Sequence, residues 1–187
     1  EFMKLYQRQF LLKLLRFFLK ELIYLSTNDI LSIGKYKFFS QYIKSKLYGR
    51  RGLYSLIPME SKVIDFEKLV IRGDLYNSNL LRSFISSKLY IQAINGIIID
   101  SSVLIGPDVK IISANHSFND YKNWDNSDPI KINKNVWIGA NAVILPGVNI
   151  GENCIVGAGS IVTKSFEDNS VIGGNPARLI RKNSLLT

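Results

Sequence analysis

A chain of 187 residues with 47% hydrophobic content can bury one core and carry an appendage, and its formal net charge of +9 favours anionic partners. Its most apolar stretch, residues 10–25, is interrupted by Lys13, Arg16, Lys20 and Glu21, which argues against a membrane span and, with no small-residue cleavage site nearby, against a signal peptide. A single cysteine, Cys154, excludes an intrachain disulfide, so a cytoplasmic location is the expectation.

The positive charge is concentrated at the start of the chain. Over residues 1–60, eleven lysines and arginines face four acids. Residues 9–25 have helical spacing, with Gln9, Lys13, Arg16 and Lys20 on one stripe and Phe10, Leu11, Leu14, Leu15, Phe18, Leu22 and Leu25 over the rest. Such a helix either lies in an anionic membrane surface or covers an open end of the following domain. A second basic helical stretch spans 35–48 and ends at the turn Gly49, Arg50, Arg51, Gly52. Residues 1–58 therefore read as a basic, largely helical region. Charge alone does not make a nucleic-acid binder, and no motif for one is present.

Residues 59–170 carry a different period. After imperfect coils over 61–95, an aliphatic residue recurs every six positions at Ile99, Ile105 and Ile111, stops at His116, and resumes at Ile132, Ile138, Ile144, Ile150, Val156 and Val162. Four positions after each of Ile132, Ile138, Ile144, Ile150 and Val156 stands a small or β-branched residue: Val136, Ala142, Val148, Cys154, Ser160. A period of six fits neither a helix nor a flat strand, but it fits a parallel β-helix in which three hexads make one triangular coil. Gly139, Asn141, Gly151, Asn153, Gly157 and Gly159 are expected at corners with positive φ. The polar, aromatic-bearing segment 117–131 is an inserted loop. The frame is expected to end after Val162, and residues 171–187 to form a turn and a basic tail.

His116 closes the hexad before the insertion, at a corner beside a protruding loop. A neutral imidazole suits general-base work near neutral pH, and the competing reading is a hydrogen-bonded surface histidine. Cys154 occupies a small-residue position and is expected to be buried and structural. In the loop, Tyr121 and Trp124 with Asp120 and Asp125 are a mixture common in sugar binding, although solubility explains the carboxylates equally well. Trp137 follows a small residue and is expected to point outward, toward acceptor or coenzyme or into a subunit interface.

Four segments, GPDVKIISANHSF (106–118), VWIGANAVILPGVNIG (136–151), VGAGSIVTKS (156–165) and GGNPARLIR (173–181), closely resemble the hexapeptide-repeat acyltransferases, in particular bacterial sugar O-acetyltransferases acting on maltose, galactosides or surface polysaccharides. The resemblance covers about half the chain. It implies a mainly β fold, a left-handed parallel β-helix, assembled as a homotrimer with acetyl-coenzyme A (acetyl-CoA) between neighbouring prisms and no metal. His116 matches the catalytic histidine. Trp137, Gly139, Ala140, Gly157, Ala158, Lys164, Arg178 and Arg181 match coenzyme positions, and Asn115, Tyr121, Trp124 and Trp137 are candidates for the acceptor. A backbone N–H within 137–140 would hold the oxyanion.

The chain departs from the maltose and galactoside enzymes where they carry an acceptor-holding asparagine about thirty residues before the histidine; here stand Ser86, Ser87 and Lys88. YIQAINGIIIDSS (90–102) looks more like the polysaccharide branch. The expected function is thus O-acetylation of a sugar or glycan in bacterial surface-polysaccharide biosynthesis, with peripheral membrane contact through the basic helix as a further expectation. N-acylation of an amino sugar or antibiotic is the alternative enzyme, and a solenoid scaffold the non-enzyme alternative. A γ-class carbonic anhydrase would need three histidines at zinc, and the chain has one.

Overall fold

The computed structural model describes residues 61–75 and 78–183. The helices expected over 9–25 and 35–48, the turn at 49–52 and the end of the basic tail lie outside the described residues.

Within them the six-residue beat becomes short strands wound in successive coils. The first coil holds β1 (Lys62–Ile64), a 3-10 turn (Phe66–Lys68), β2 (Leu69–Arg72) and a helix, α1 (Asn79–Ser86). The next two hold β3 (Tyr90–Gln92), β4 (Ile97–Asp100) and β5 (Leu104–Ile105), then β6 (Lys110–Ile112), β7 (Ile130–Ile132) and β8 (Trp137–Ile138). The fourth holds β9 (Val143–Ile144), β10 (Asn149–Ile150) and β11 (Ile155–Val156), and the last β12 (Ile161–Val162), β13 (Ser170–Gly174) and β14 (Ala177–Lys182). Each strand but β14 pairs with the strand one coil away, and β14 pairs with β13 of its own coil, giving three sheets: A, in the order β1-β3-β6-β9-β12; B, β10-β7-β4-β2; and C, β14-β13-β11-β8-β5. Every pairing is parallel except β13 with β14.

Register explains the beat. Ile111 and Ile144 are partners in sheet A, Ile99 and Ile132 in sheet B, and Ile105, Ile138, Val156 and Ile172 form one column in sheet C. All are at most 2% exposed. Each such side chain contributes roughly 1.5–3 kcal/mol by burial, so the stacked columns supply the driving force for winding. The small-residue positions, Val136, Ala142, Val148, Cys154 and Ser160, are equally buried. They are small because they line the tight inner corners of the prism.

The corners divide into two kinds, which corrects the uniform reading of positive φ. Asn141, Asn153 and Gly159 are left-handed, at φ 59°, 57° and 68°. Gly139, Gly151 and Gly157 are not among the positive-φ residues. At Gly139 the reason is space, since an added Cβ would lie 2.6 Å from the backbone nitrogen of Ala158 in the next coil. Along the corner entering sheet C, Asn135, Asn153 and Asn169 share φ near 57° and join into an amide ladder, each Nδ2 donating to the next Oδ1 at 3.2 Å.

Two further elements differ from expectation. Residues 79–86 are helical where an irregular coil was expected. Ser78 caps the helix by accepting from the Leu81 N–H at 3.0 Å, and Leu80 and Phe84, both fully buried, plug the first coil. The helix replaces the third strand of that coil, and the Ser83 hydroxyl accepts from the Ile105 N–H at 2.9 Å, so the edge of sheet C is covered. The six-residue frame ends after Val162 as expected, but the winding goes on with a shorter coil: Val156 pairs with Ile172, 16 residues on, where Ile138 pairs with Val156, 18 residues on. Phe166 bridges to Ile150, β13 pairs with β11, and the expected turn falls at 175–176, but the tail expected after it is the antiparallel strand β14.

Candidate functional site

The chain turns from sheet C into sheet A at residues 106–108, 139–141 and 157–159, one above another along the first edge of the prism, and residues 173–174, at the end of that edge, lead through a turn back into sheet C as β14. It leaves sheet A at 113–116, 145–147 and 163–165, along a second edge. The candidate residues distribute over these two edges of one sheet.

On the second edge, His116 is exposed, as are Asn115, Tyr121 and Trp124. The inserted loop is moored: the Asn95 amide donates to the Asp125 carbonyl at 2.8 Å and to the Ser127 hydroxyl at 3.0 Å, while Ser127 donates to the Ser113 carbonyl at 3.1 Å. Gln92, buried, accepts the Ala114 N–H at 3.2 Å and fixes the backbone just before the histidine. The imidazole stacks on the Trp124 indole, ring centroids 3.9 Å apart and planes at 25°. Lys164 lies farther along the same edge, its Nζ 5.7 Å from the Phe166 ring centroid.

On the first edge, close approach between coils leaves room only for small residues. Besides Gly139, a Cβ at Gly106 would meet the Ala140 nitrogen at 2.7 Å. The N–H groups of Trp137 and Gly139 donate to Cys154 and Val156 of the next coil, and Gly157 and Gly159 donate to Ile172 and Ala140. The N–H groups of Ala140 and Ala158, outside any strand, have no acceptor among the described residues. Two donors on adjacent coils are therefore left unspent on a strip without bulky side chains. Within residues 137–140, the segment expected to hold the oxyanion donor, the N–H of Ala140 is the one that lies outside any strand and has no acceptor among the described residues.

Trp137 is 51% exposed on the outer face of sheet C, in register with Leu104 and Ile155. Arg178 pairs with Gly173 and so stands beside this first edge, whereas Arg181 pairs with Val171 farther back. Both are exposed, and the acid–base contacts of the described residues do not include either guanidinium.

Cys154 is fully buried, donating to the Glu167 carbonyl at 3.1 Å and receiving the Ser170 N–H at 3.4 Å. Burial pushes its thiol up, and the hydrogen bond from Ser170 offsets only part of that. It is placed as a structural group, away from both edges.

One chain therefore does not gather its candidate residues. His116 and Lys164 lie on one edge, and Trp137, Gly139, Ala140, Gly157, Ala158 and Arg178 on or beside the other. The side of the prism from Ala140 to Leu145 is five residue steps long, which separates the two edges by roughly 15 Å.

Residues 129–164 match the family described as the hexapeptide repeat of succinyl-transferase. The chain is 47% identical over 87 residues to a galactoside O-acetyltransferase of Escherichia coli, spanning 45% of this chain and 43% of that protein. To a galactoside O-acetyltransferase of Lactococcus lactis it is 39% identical over 89 residues, 46% of this chain and 43% of the relative. The chain thus spans less than half the length of the curated relatives it matches. Among solved structures, a maltose O-acetyltransferase from Clostridium difficile 630 superposes with a TM-score of 0.50 at 26% identity, covering 80% of this chain and 88% of the other.

Proposed function

We propose, for a chain whose solenoid belongs to the hexapeptide-repeat acetyltransferase family, an acetyl-CoA-dependent O-acetyltransferase acting on a sugar hydroxyl. The observation that carries this reading is the pairing of an exposed imidazole on one edge of sheet A with two unspent backbone N–H donors on the small-residue strip of the other. Those are the parts that acyl transfer needs: a base for the acceptor proton and a donor for the oxyanion.

In this mechanism His116 takes the proton of the acceptor hydroxyl as its oxygen attacks the thioester carbonyl. The Ala140 N–H stabilises the oxyanion. Collapse expels the coenzyme thiolate, which recovers the proton from the imidazolium. No enzyme nucleophile is required, in keeping with the buried Cys154. The amide-rich pantetheine arm would run along Gly139, Ala140, Gly157 and Ala158, with the Ala158 N–H available to it, and Lys164, Arg178 and Arg181 would meet its phosphates.

The separation of the two edges supports a trimer. If the His116 edge of one copy meets the Ala140 edge of the next, threefold symmetry turns sheet A of each copy toward the axis. The outward residues of that sheet include Val143 and Ile161, which are only partly exposed even in one chain and suit a covered surface. Lys164 of one copy then joins Gly157 and Arg178 of its neighbour. A left-handed coil is part of the same reading.

The names of the relatives support a sugar acceptor. A surface-polysaccharide precursor is favoured over a simple galactoside, because Ser86, Ser87 and Lys88 replace the asparagine and Asn95, one coil above His116, is engaged in mooring the loop. We place the enzyme in the cytoplasm, at the inner membrane face if the acceptor is lipid-linked. Among the described residues no helix is long and apolar enough to cross a membrane.

The test is mass-spectrometric detection of acetylated product after incubation with acetyl-CoA and panels of galactosides, surface-sugar precursors and amino sugars. Acetyl esters that disappear with His116→Ala, a loss of about a hundred- to ten-thousand-fold, are expected. Acetyl amides alone would move the enzyme to N-acylation, and wild-type turnover by the variant would remove the histidine from the mechanism.

A further inference from the structure

The inserted loop is a small hairpin built around one side-chain pair. The Ser117 N–H donates to the Asn123 carbonyl and the Asp125 N–H to the Asn115 carbonyl, both at 2.9 Å, so His116 and Trp124 face each other between these bonds. In an antiparallel ribbon that is the narrow, non-hydrogen-bonded pair, whose side chains stand on the same face at their closest. The turn is closed by Asp120, whose carbonyl accepts the Asn123 N–H at 3.0 Å and whose carboxylate accepts the Lys122 N–H at 3.0 Å and the Asn123 amide at 2.8 Å. Backbone register, turn and mooring therefore converge on the stack at 3.9 Å.

Among the described residues neither nitrogen of the imidazole has a hydrogen-bond partner. An exposed histidine without such an orienter would share its time among several rotamers, and its nitrogens among positions ångströms apart. A misplacement of about 1 Å can cost about a hundredfold in rate.

We propose that Trp124 is a positioning residue for His116: its indole fixes the plane of the imidazole by stacking, in place of the carboxylate or carbonyl that commonly orients a catalytic histidine. This rests on His116 being the base. Stacking engages the ring face and leaves both nitrogens on the rim free, one to take the acceptor proton. It gives Trp124 a part distinct from direct acceptor contact, because the indole acts through the imidazole.

The chain's one histidine makes the stack directly readable in the full-length protein. Its ring C–H signals should lie upfield in the wild type relative to Trp124→Ala, through the indole ring current, and stay upfield in Trp124→Phe. In steady-state assays Trp124→Ala should lose about ten- to a hundredfold in kcat while KM for acetyl-CoA stays within about twofold, and Trp124→Phe should recover most of the loss. Unchanged ring signals, or a wild-type kcat in Trp124→Ala, would overturn the proposal. So would a raised acceptor KM at unchanged kcat, which would make Trp124 an acceptor contact. His116→Ala separates the levels: if it is inactive while Trp124→Ala turns over normally, only the positioning role is lost, whereas an active His116→Ala removes the base itself.

Discussion

At Gly139 a methyl group would sit 2.6 Å from the Ala158 nitrogen, closer than two coils can tolerate. Gly139→Ala is therefore expected to destabilise the fold by about 1–3 kcal/mol through overpacking against backbone, read as a lower denaturation midpoint. Asn141→Gly, at a left-handed corner with φ 59°, should change it little. Cys154 yields a second expectation. Only the thiolate reacts, and burial holds this thiol above its ordinary value, so a thiol-alkylating reagent at neutral pH should label it only after denaturation. Rapid labelling of the native protein would show that the small-residue corner is open. At this scale the sequence was informative about identity and silent about cause. The buried cysteine and outward Trp137 were legible from the six-residue frame, but whether a glycine serves φ or clearance depends on the neighbouring coil.

The strands of the regular coils could be read from the sequence because each inward residue repeats the environment of the one a coil away. The exceptions come where an element meets no such partner. Helix α1 has only eight residues, too short for periodicity to separate it from an irregular coil, although the Ser78 cap ahead of Leu80, Leu81, Phe84 and Ile85 was a usable signal. β14 was hidden because it pairs antiparallel with β13 and needs no six-residue frame. The stack of Trp124 on His116 depends on the register of the loop hairpin, which spacing does not give. β14 carries the two arginines proposed to meet the coenzyme phosphates. Replacing both, as Arg178→Gln with Arg181→Gln, should weaken coenzyme A binding by about tenfold or more at low salt, on the scale of charge-assisted hydrogen bonds. Binding of the pantetheine fragment, which lacks those phosphates, should be nearly unchanged in the same calorimetric titration. Equal losses would place the arginines elsewhere.

Across the whole molecule, the distance between the two edges of sheet A decides how the parts can work. One prism holds His116 and the Ala140 strip apart by roughly 15 Å of sheet, too far for a base and an oxyanion donor to act on one thioester. A shared site between copies resolves this and can be tested without knowing the natural acceptor's pathway. His116→Ala removes the base but keeps the first edge, while Ala158→Trp fills the strip but keeps His116. Each homogeneous protein should be folded, trimeric and nearly inactive. Refolded together in equal amounts, they should regain about a quarter of the wild-type sites, since random mixing pairs an intact His116 with a neighbour's intact edge at that frequency. Hybrid trimers with no recovered acetyl transfer, although folded and mixed, would contradict the shared site.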